Sequence, residues 1–183
     1  RERVYLSPTE AMEAVARQAK ATWKPDCEMP KKHRNFQPPG YGMNNLSDIF
    51  TPRQLVALTT FSDLVQEVRA EVKRDALAAG LSADDKSLEA AGTGATAYAD
   101  AVSVYLGLAA SKAADNNSTI CSWMPGIKYE VVRNTFSRQA LPMTWDYAEP
   151  NPFAESSGDF YEQVKRSLTV FEISFANTIA SGR

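Results

Sequence analysis

Apolar positions spaced by three and four residues mark several stretches of this chain as amphipathic helices. The clearest begins at Thr51-Pro52. A threonine hydroxyl can cap the open N–H groups of a first turn, and proline at the next position lacks an N–H that would have had no partner there. Gln54, three residues past Thr51, completes a capping box. Leu55, Leu58, Phe61 or Ser62, Val65, Val68 and Val72 then share a face, and Gly80 supplies the stop. A second long helix is predicted over 95–114, with Tyr98, Ala101, Val102, Tyr105 and Ala109 as its stripe. Its many small side chains would let a neighbouring helix come close. A third has Ser156 or Ser157 as cap and Asp159 in its first turn, with Phe160, Val164, Leu168, Phe171, Phe175 and Ile179 in step. A weaker helix starts at Ser7-Pro8, places Met12, Val15 and Ala19 on one face, and ends near Lys20 to Trp23 ahead of Pro25.

Between these helices lie two long segments, 24–50 and 118–155. Pro25, Pro30, Pro38 and Pro39 interrupt the first, and Pro142, Pro150 and Pro152 interrupt the end of the second. Ile127 to Phe136 mixes Tyr, Val and Phe and suits either a short strand or a short helix. Phe36, Tyr41, Met43, Leu46, Ile49 and Phe50 give the first segment enough apolar surface to pack on the helical body. The pattern as a whole predicts one all-α domain over residues 1–183. It would be an irregular bundle of about four main helices with long ordered loops and room for one short strand or hairpin.

Composition narrows the functional classes. Twenty Lys and Arg face 22 Asp and Glu, and the formal net charge of −2 excludes a general basic coat for nucleic acid while leaving a local basic patch open. Cys27 and Cys121 are far apart, with no CxxC pairing, which suits a reducing cytoplasm and gives a poor basis for zinc. The most apolar stretch, Ala95 to Ala114, carries Asp100 and Lys112 and reads as a packed helix, not a membrane span. The chain opens on Arg1 and closes directly behind an apolar helical pattern, so both ends look cut from something larger.

Two clusters could carry nucleic-acid chemistry. Lys31, Lys32 and Arg34, with His33 between them and Tyr41 nearby, combine charges that can neutralise phosphates with a ring that can stack on a base. The same cluster would also serve as a solvated loop. Arg133, Asn134, Arg138 and Gln139 have the side chains suited to bidentate readout of guanine and adenine edges. They are equally suited to an internal network, for which Asp146 and Glu149 are nearby carboxylates. Asn151-Pro152-Phe153 has one proline where the motif of amino-directed methyltransferases has two, and is better read as a turn. The single histidine, His33, and the short Gly92-Thr93-Gly94 run give no nucleophile elbow and no phosphate loop.

Longer runs carry a resemblance. Pro39-Gly40-Tyr41-Gly42-Met43, the stretch from Ser47 through Thr51-Pro52-Arg53-Gln54-Leu55 to Val65, Ala97-Tyr98-Ala99-Asp100-Ala101-Val102, Asn116-Asn117-Ser118-Thr119, and Arg133-Asn134-Thr135-Phe136-Ser137-Arg138-Gln139 on to Phe153 cover most of 39–160. Together they resemble the large adenine-specific DNA methylases that carry a zinc ribbon and an N-terminal domain of unknown function. The resemblance implies an internal, non-catalytic helical segment of an S-adenosylmethionine-dependent N6-adenine methyltransferase. The cofactor glycine motif and the ribbon would lie upstream and the catalytic Asp-Pro-Pro-Tyr downstream. No catalytic, cofactor or metal residue is therefore carried onto this numbering. What remains as an expectation is docking of double-stranded DNA by the two loops, or else a structural module that braces the other domains of its parent.

Overall fold

The computed structural model describes residues 4–126, 130–156 and 158–180, without side chains at 171 and 174–180. Among the described residues the chain is an all-α bundle with one small hairpin. Its elements are α1 (Glu10–Arg17), α2 (Pro52–Ala78), α3 (Ala95–Asn116), β1 (Ser122–Pro125), β2 (Glu130–Arg133) and α4 (Phe160–Ala180). α3 is the central helix, packed against α2 on one side and α4 on the other.

The ends of α2 follow directly from its sequence. The Thr51 hydroxyl accepts from the Gln54 N–H at 3.2 Å, and the Gln54 side chain accepts from the Thr51 N–H at 2.8 Å. At the other end Gly80 sits at φ 93°, a left-handed conformation that side chains with a Cβ resist. That turn lets the Leu81 N–H reach Ala76 O and the Gly80 N–H reach Leu77 O, both at 3.0 Å, which closes a Schellman cap. The connection to α3 then folds against itself. A Cβ on Gly94 would lie 2.6 Å from the Ser82 carbonyl oxygen, so only glycine fits at the α3 entry.

α3 buries Ala109 of the predicted stripe but corrects the rest of it. Its buried positions are small or polar: Ala95, Thr96, Ala97, Ala99, Ala109, Ala113 and Asp115. Tyr98 and Tyr105 are exposed and, with Ala101 and Val102, line an apolar groove toward Val164 and Leu168 of α4. The physical reason is size: small side chains pack in little space, and the bulky rings lie on the side toward α4. Arg69 on α2 then reaches across to Asp100 on α3, with Nε 2.7 Å from Oδ1.

The first and last helices differ from prediction at their caps. α1 is capped by Thr9, which accepts from the Met12 N–H at 3.3 Å, not by Ser7, and it stops at Arg17. Nothing on α1 is buried, and Met12 and Val15 face solvent. α4 is capped by Asp159 itself. Its Oδ1 accepts from the Glu162 N–H at 2.9 Å and its Oδ2 from the Glu155 N–H at 2.8 Å. A carboxylate at this position also meets the positive end of the helix dipole. Phe160 stacks on Phe61 of α2 at 4.2 Å and 5° between ring planes, which ties α4 to the bundle. The predicted cap Ser157 and the stripe side chains of Phe171, Phe175 and Ile179 lie outside the described residues.

The hairpin occupies part of the stretch expected to hold a short strand or helix. It is antiparallel, with Ser122 opposite Arg133 and Trp123 opposite Val132, while residues 127–129 lie outside the description. The main apolar cluster sits under the loops and not inside the bundle. Met29, Ile49, Ile120 and Leu141 are buried together, with Phe36, Met43, Leu46 and Phe50 packed around them. Burying a side chain such as Ile49 contributes roughly 1.5–3 kcal/mol, so the loops hold a real share of the stability. Among the described residues no helix is long and apolar enough to cross a membrane.

Because Thr51 satisfies an N–H that has no helical partner, Thr51→Ala should lower stability by about 1 kcal/mol. In urea denaturation the midpoint should fall at an unchanged slope; an unaltered midpoint would mean that packing, not the cap, sets the start of α2.

Candidate nucleic-acid interface at the junction of two loops

The 24–50 segment is a pinned loop. Its arms pair at Glu28 and Asn45, with the Met29 N–H on Asn44 O and the Leu46 N–H on Cys27 O, each at 2.8 Å. Prolines 38 and 39 open a tight 3₁₀ turn that ends at Tyr41, and Gly42 at φ 91° closes it. Asp48 accepts from the Asn45 N–H at 2.8 Å and the Asn44 N–H at 2.9 Å, which fixes the return toward α2.

The 118–155 segment is anchored to α3 by one carboxylate. Asp115 sits in the last turn of α3, mostly buried. Its Oδ2 accepts from Asn134 Nδ2 at 2.8 Å and from the Lys112 ammonium, and its Oδ1 accepts from the Phe136 N–H at 2.8 Å. Its main-chain carbonyl accepts from the Thr135 N–H at 2.7 Å and the Thr135 hydroxyl at 2.8 Å. Ser118 Oγ lies 2.7 Å from Thr135 Oγ1, and both residues are buried. Burial by itself pushes the Asp115 carboxyl up. The hydrogen bonds from Lys112, Phe136 and Asn134 outweigh it and hold the group below its ordinary value.

The two segments meet. Residues 36 and 141 form a parallel bridge, the Gln37 N–H donates to Leu141 O at 3.0 Å, and the Leu141 N–H donates to Asn35 O at 2.7 Å. Gln37 Oε1 accepts from the Met143 N–H at 2.8 Å. Ile49 O accepts from both the N–H and the hydroxyl of Thr119 at 2.8 Å. The 141–145 stretch therefore belongs to both halves. The first loop carries an open cleft of about 600 Å³ whose lining includes Lys31, Lys32, His33, Arg34, Phe36 and Tyr41. Pro142 and Thr144 help line a separate cavity of about 230 Å³ with Arg133, Asn134 and Arg138. Trp145 rests against Tyr41 edge to face, with ring centres 5.3 Å apart.

The residues singled out in the sequence fall around this junction with different commitments. Lys31 lies 3.7 Å from Glu28, a solvent-exposed pair of little energetic weight. Lys32, Arg34, Arg133 and Arg138 have no carboxylate partner among the described residues. Lys32, Arg34, Tyr41, Arg138 and Gln139 are exposed, and Arg133 is half-buried on β2. Asn134 gives one amide donor to Asp115 and serves the fold first. The internal network that the sequence allowed for does exist, but Asp115 is its carboxylate. Glu149 instead pairs with Arg53 at 2.8 Å. Asn151 accepts from the Phe153 N–H at 3.0 Å, forming an Asx turn at Asn-Pro. Sequence reasoning saw Asp115 only as the end of the second long helix and gave it no partner. Its signal was an acid in the last turn of a helix, where the dipole disfavours it unless donors are supplied.

The family assignment drawn from the sequence is overturned. Among the described residues no group of three or more His, Cys, Asp or Glu side chains could hold a metal ion, and Cys27 and Cys121 are separate free thiols. Nothing of a zinc ribbon is present in the described residues. Searches of protein-family models, curated proteins and solved structures give no match to this chain. The adenine-methyltransferase context and its S-adenosylmethionine lose the resemblance that implied them.

Replacing Asp115 by Asn keeps the shape but removes the charge that Lys112 and the 134–136 main chain face. About 1–3 kcal/mol of stability should be lost at pH 7. A carboxyl held below its unfolded value of about 3.9 contributes fully above that pH and loses its contribution as pH falls through the folded value. The gap between wild type and Asp115→Asn in urea denaturation should therefore close below about pH 4; a gap that stays constant down to pH 3 would assign it to lost packing.

Proposed function

We propose that this chain is a non-catalytic docking module that holds double-stranded DNA against the junction of its two long loops. One observation carries the reading. Main-chain bonds tie the two loops to each other, one carrying the cleft lined by Lys32 and Arg34 and the other the cavity lined by Arg133 and Arg138. Cations without internal partners are free to replace the counterions of a phosphate backbone, and a rigid support keeps the entropic cost of ordering them low. A cytoplasmic setting suits the same reading, since both cysteines are free thiols.

A second reading, a bracing or protein-docking module, is favoured by α1. That helix buries none of its residues, and Val4, Tyr5 and Leu6 ahead of it are exposed as well. Larger exposed apolar surfaces of this kind mark protein contacts.

The two readings separate on one set of variants. Neutralising Lys32, Arg34, Arg133 and Arg138 together, each to Gln, should weaken duplex binding at low salt. It should also flatten the dependence of log K on log salt by about 0.9 for each phosphate contact removed. Met12→Asp with Val15→Asp should leave both quantities unchanged. Duplex affinity and salt slope that survive the four neutralisations, measured by fluorescence anisotropy with the far-UV spectrum intact, would reject DNA docking at this surface.

A further inference from the structure

We propose that the junction also takes one unpaired nucleobase, stacked in the corner formed by Tyr41 and Trp145. This rests on the DNA-docking reading and adds to it a preference for strands whose bases are open.

The rings stand at 85° with centres 5.3 Å apart, and Trp145 is 76% exposed and Tyr41 56% exposed. A tryptophan left this open forgoes the burial that usually places it. Two perpendicular aromatic walls make a corner. A flat base can stack on one ring while its edge meets the other, and stacking tolerates any base because each has a π-face. Both walls are held from behind. Tyr41 ends the Pro38–Tyr41 turn, and the stretch to Trp145 is fixed by the Met143 N–H on Gln37 and by the Thr144 hydroxyl on Ile120 O at 3.2 Å. Little ordering remains to be done on binding.

Positive charge lies on the Tyr41 side of the corner, while the exposed acid Asp146 follows Trp145 on the other. Tyr41 and the Lys31–Arg34 run line the same open cleft of about 600 Å³. A base on the corner would place its flanking phosphates near Lys32 and Arg34. Inside an intact duplex every base is already stacked on its neighbours, so the corner has nothing to hold until a base leaves the stack. Phosphate contact with a duplex alone gives no role to exposed rings.

The test compares three labelled probes by anisotropy at one salt concentration: a single strand, its perfect duplex, and the same duplex with one bulged base. Single-stranded and bulged probes should bind more tightly than the duplex. Trp145→Ala should weaken them by roughly 5- to 150-fold and leave the duplex unaffected, with Trp145→Phe retaining most of the affinity. Equal affinity for all three probes, or indifference to Trp145→Ala, would overturn the base site while leaving phosphate docking in place. Failure of the wild-type chain to bind any probe would overturn both.

Discussion

The arrangement hangs on Asp115. A carboxylate in the last turn of a helix faces the negative end of the dipole, and burial adds a desolvation penalty. It is tolerated because donors from three directions converge on it: the Lys112 ammonium, the Asn134 amide and the Phe136 N–H. Each satisfies a lone pair that water would otherwise have served. The same contacts pin residues 134–136 against the end of α3. Leu141 follows a few residues later and carries the bridge to Phe36. The order of dependence runs from α3 to Asp115, from there to the second loop, and through Leu141 to the first.

This chain of dependence shows how the long irregular segments are tied down without regular structure of their own. α2 and α3 approach over alanine, which brings backbones together but buries little area per residue. The larger apolar side chains are concentrated instead under the loops, around Ile49, Ile120 and Leu141. There they are covered by backbone whose N–H and C=O groups are paired across the two segments, so burial leaves few polar groups without partners. Stability and the candidate interface thus occupy the same region. A substitution that loosens the junction is expected to disturb both, whereas α1 with its open Met12 and Val15 stands apart from either.

Features whose cause is local were legible in the sequence, and those set by distant partners were not. Thr51, Pro52 and Gln54 determine the start of α2 among themselves, and Gly80 determines its end. The hydrophobic stripe of α3 was misread because an alanine-rich helix has two serviceable faces. Periodicity favours the face with the rings, while close packing selects the face without them. Asp159 was placed one turn too deep because two serines before it offered the same hydroxyl chemistry, and only the fold shows which side chain meets the Glu162 N–H. The meeting of Gln37 with Met143 joins residues 106 positions apart, and no short-range pattern encodes it. Of the candidate site, the sequence named the two clusters, and the bonds that tie their loops together were not legible in it. The long runs behind the family resemblance covered both loops, yet the metal chemistry that family carries has no counterpart among the described residues.

The near-neutral charge of the chain is less of an obstacle to nucleic-acid contact than the formal count of −2 suggests. What a phosphate meets is the arrangement of charges, not their sum. Asp48, Asp115 and Asp159 each turn their oxygens toward main-chain N–H groups, and Asp100 toward the Leu88 N–H and Arg69. Those acids are spent on caps and on the joint between α3 and the second loop. Lys32, Arg34, Arg133 and Arg138 have no such duty among the described residues and stand at the rim of the junction. Exposed acids also stand at the junction, Glu28 beside Lys31 and Asp146 beside Trp145, so a positive surface there depends on Lys32, Arg34, Arg133 and Arg138 outweighing them. Its reach is then set by screening. With a Debye length of about 8 Å at physiological salt, charges on the far side of the bundle contribute little, and the junction is governed by the residues that line it.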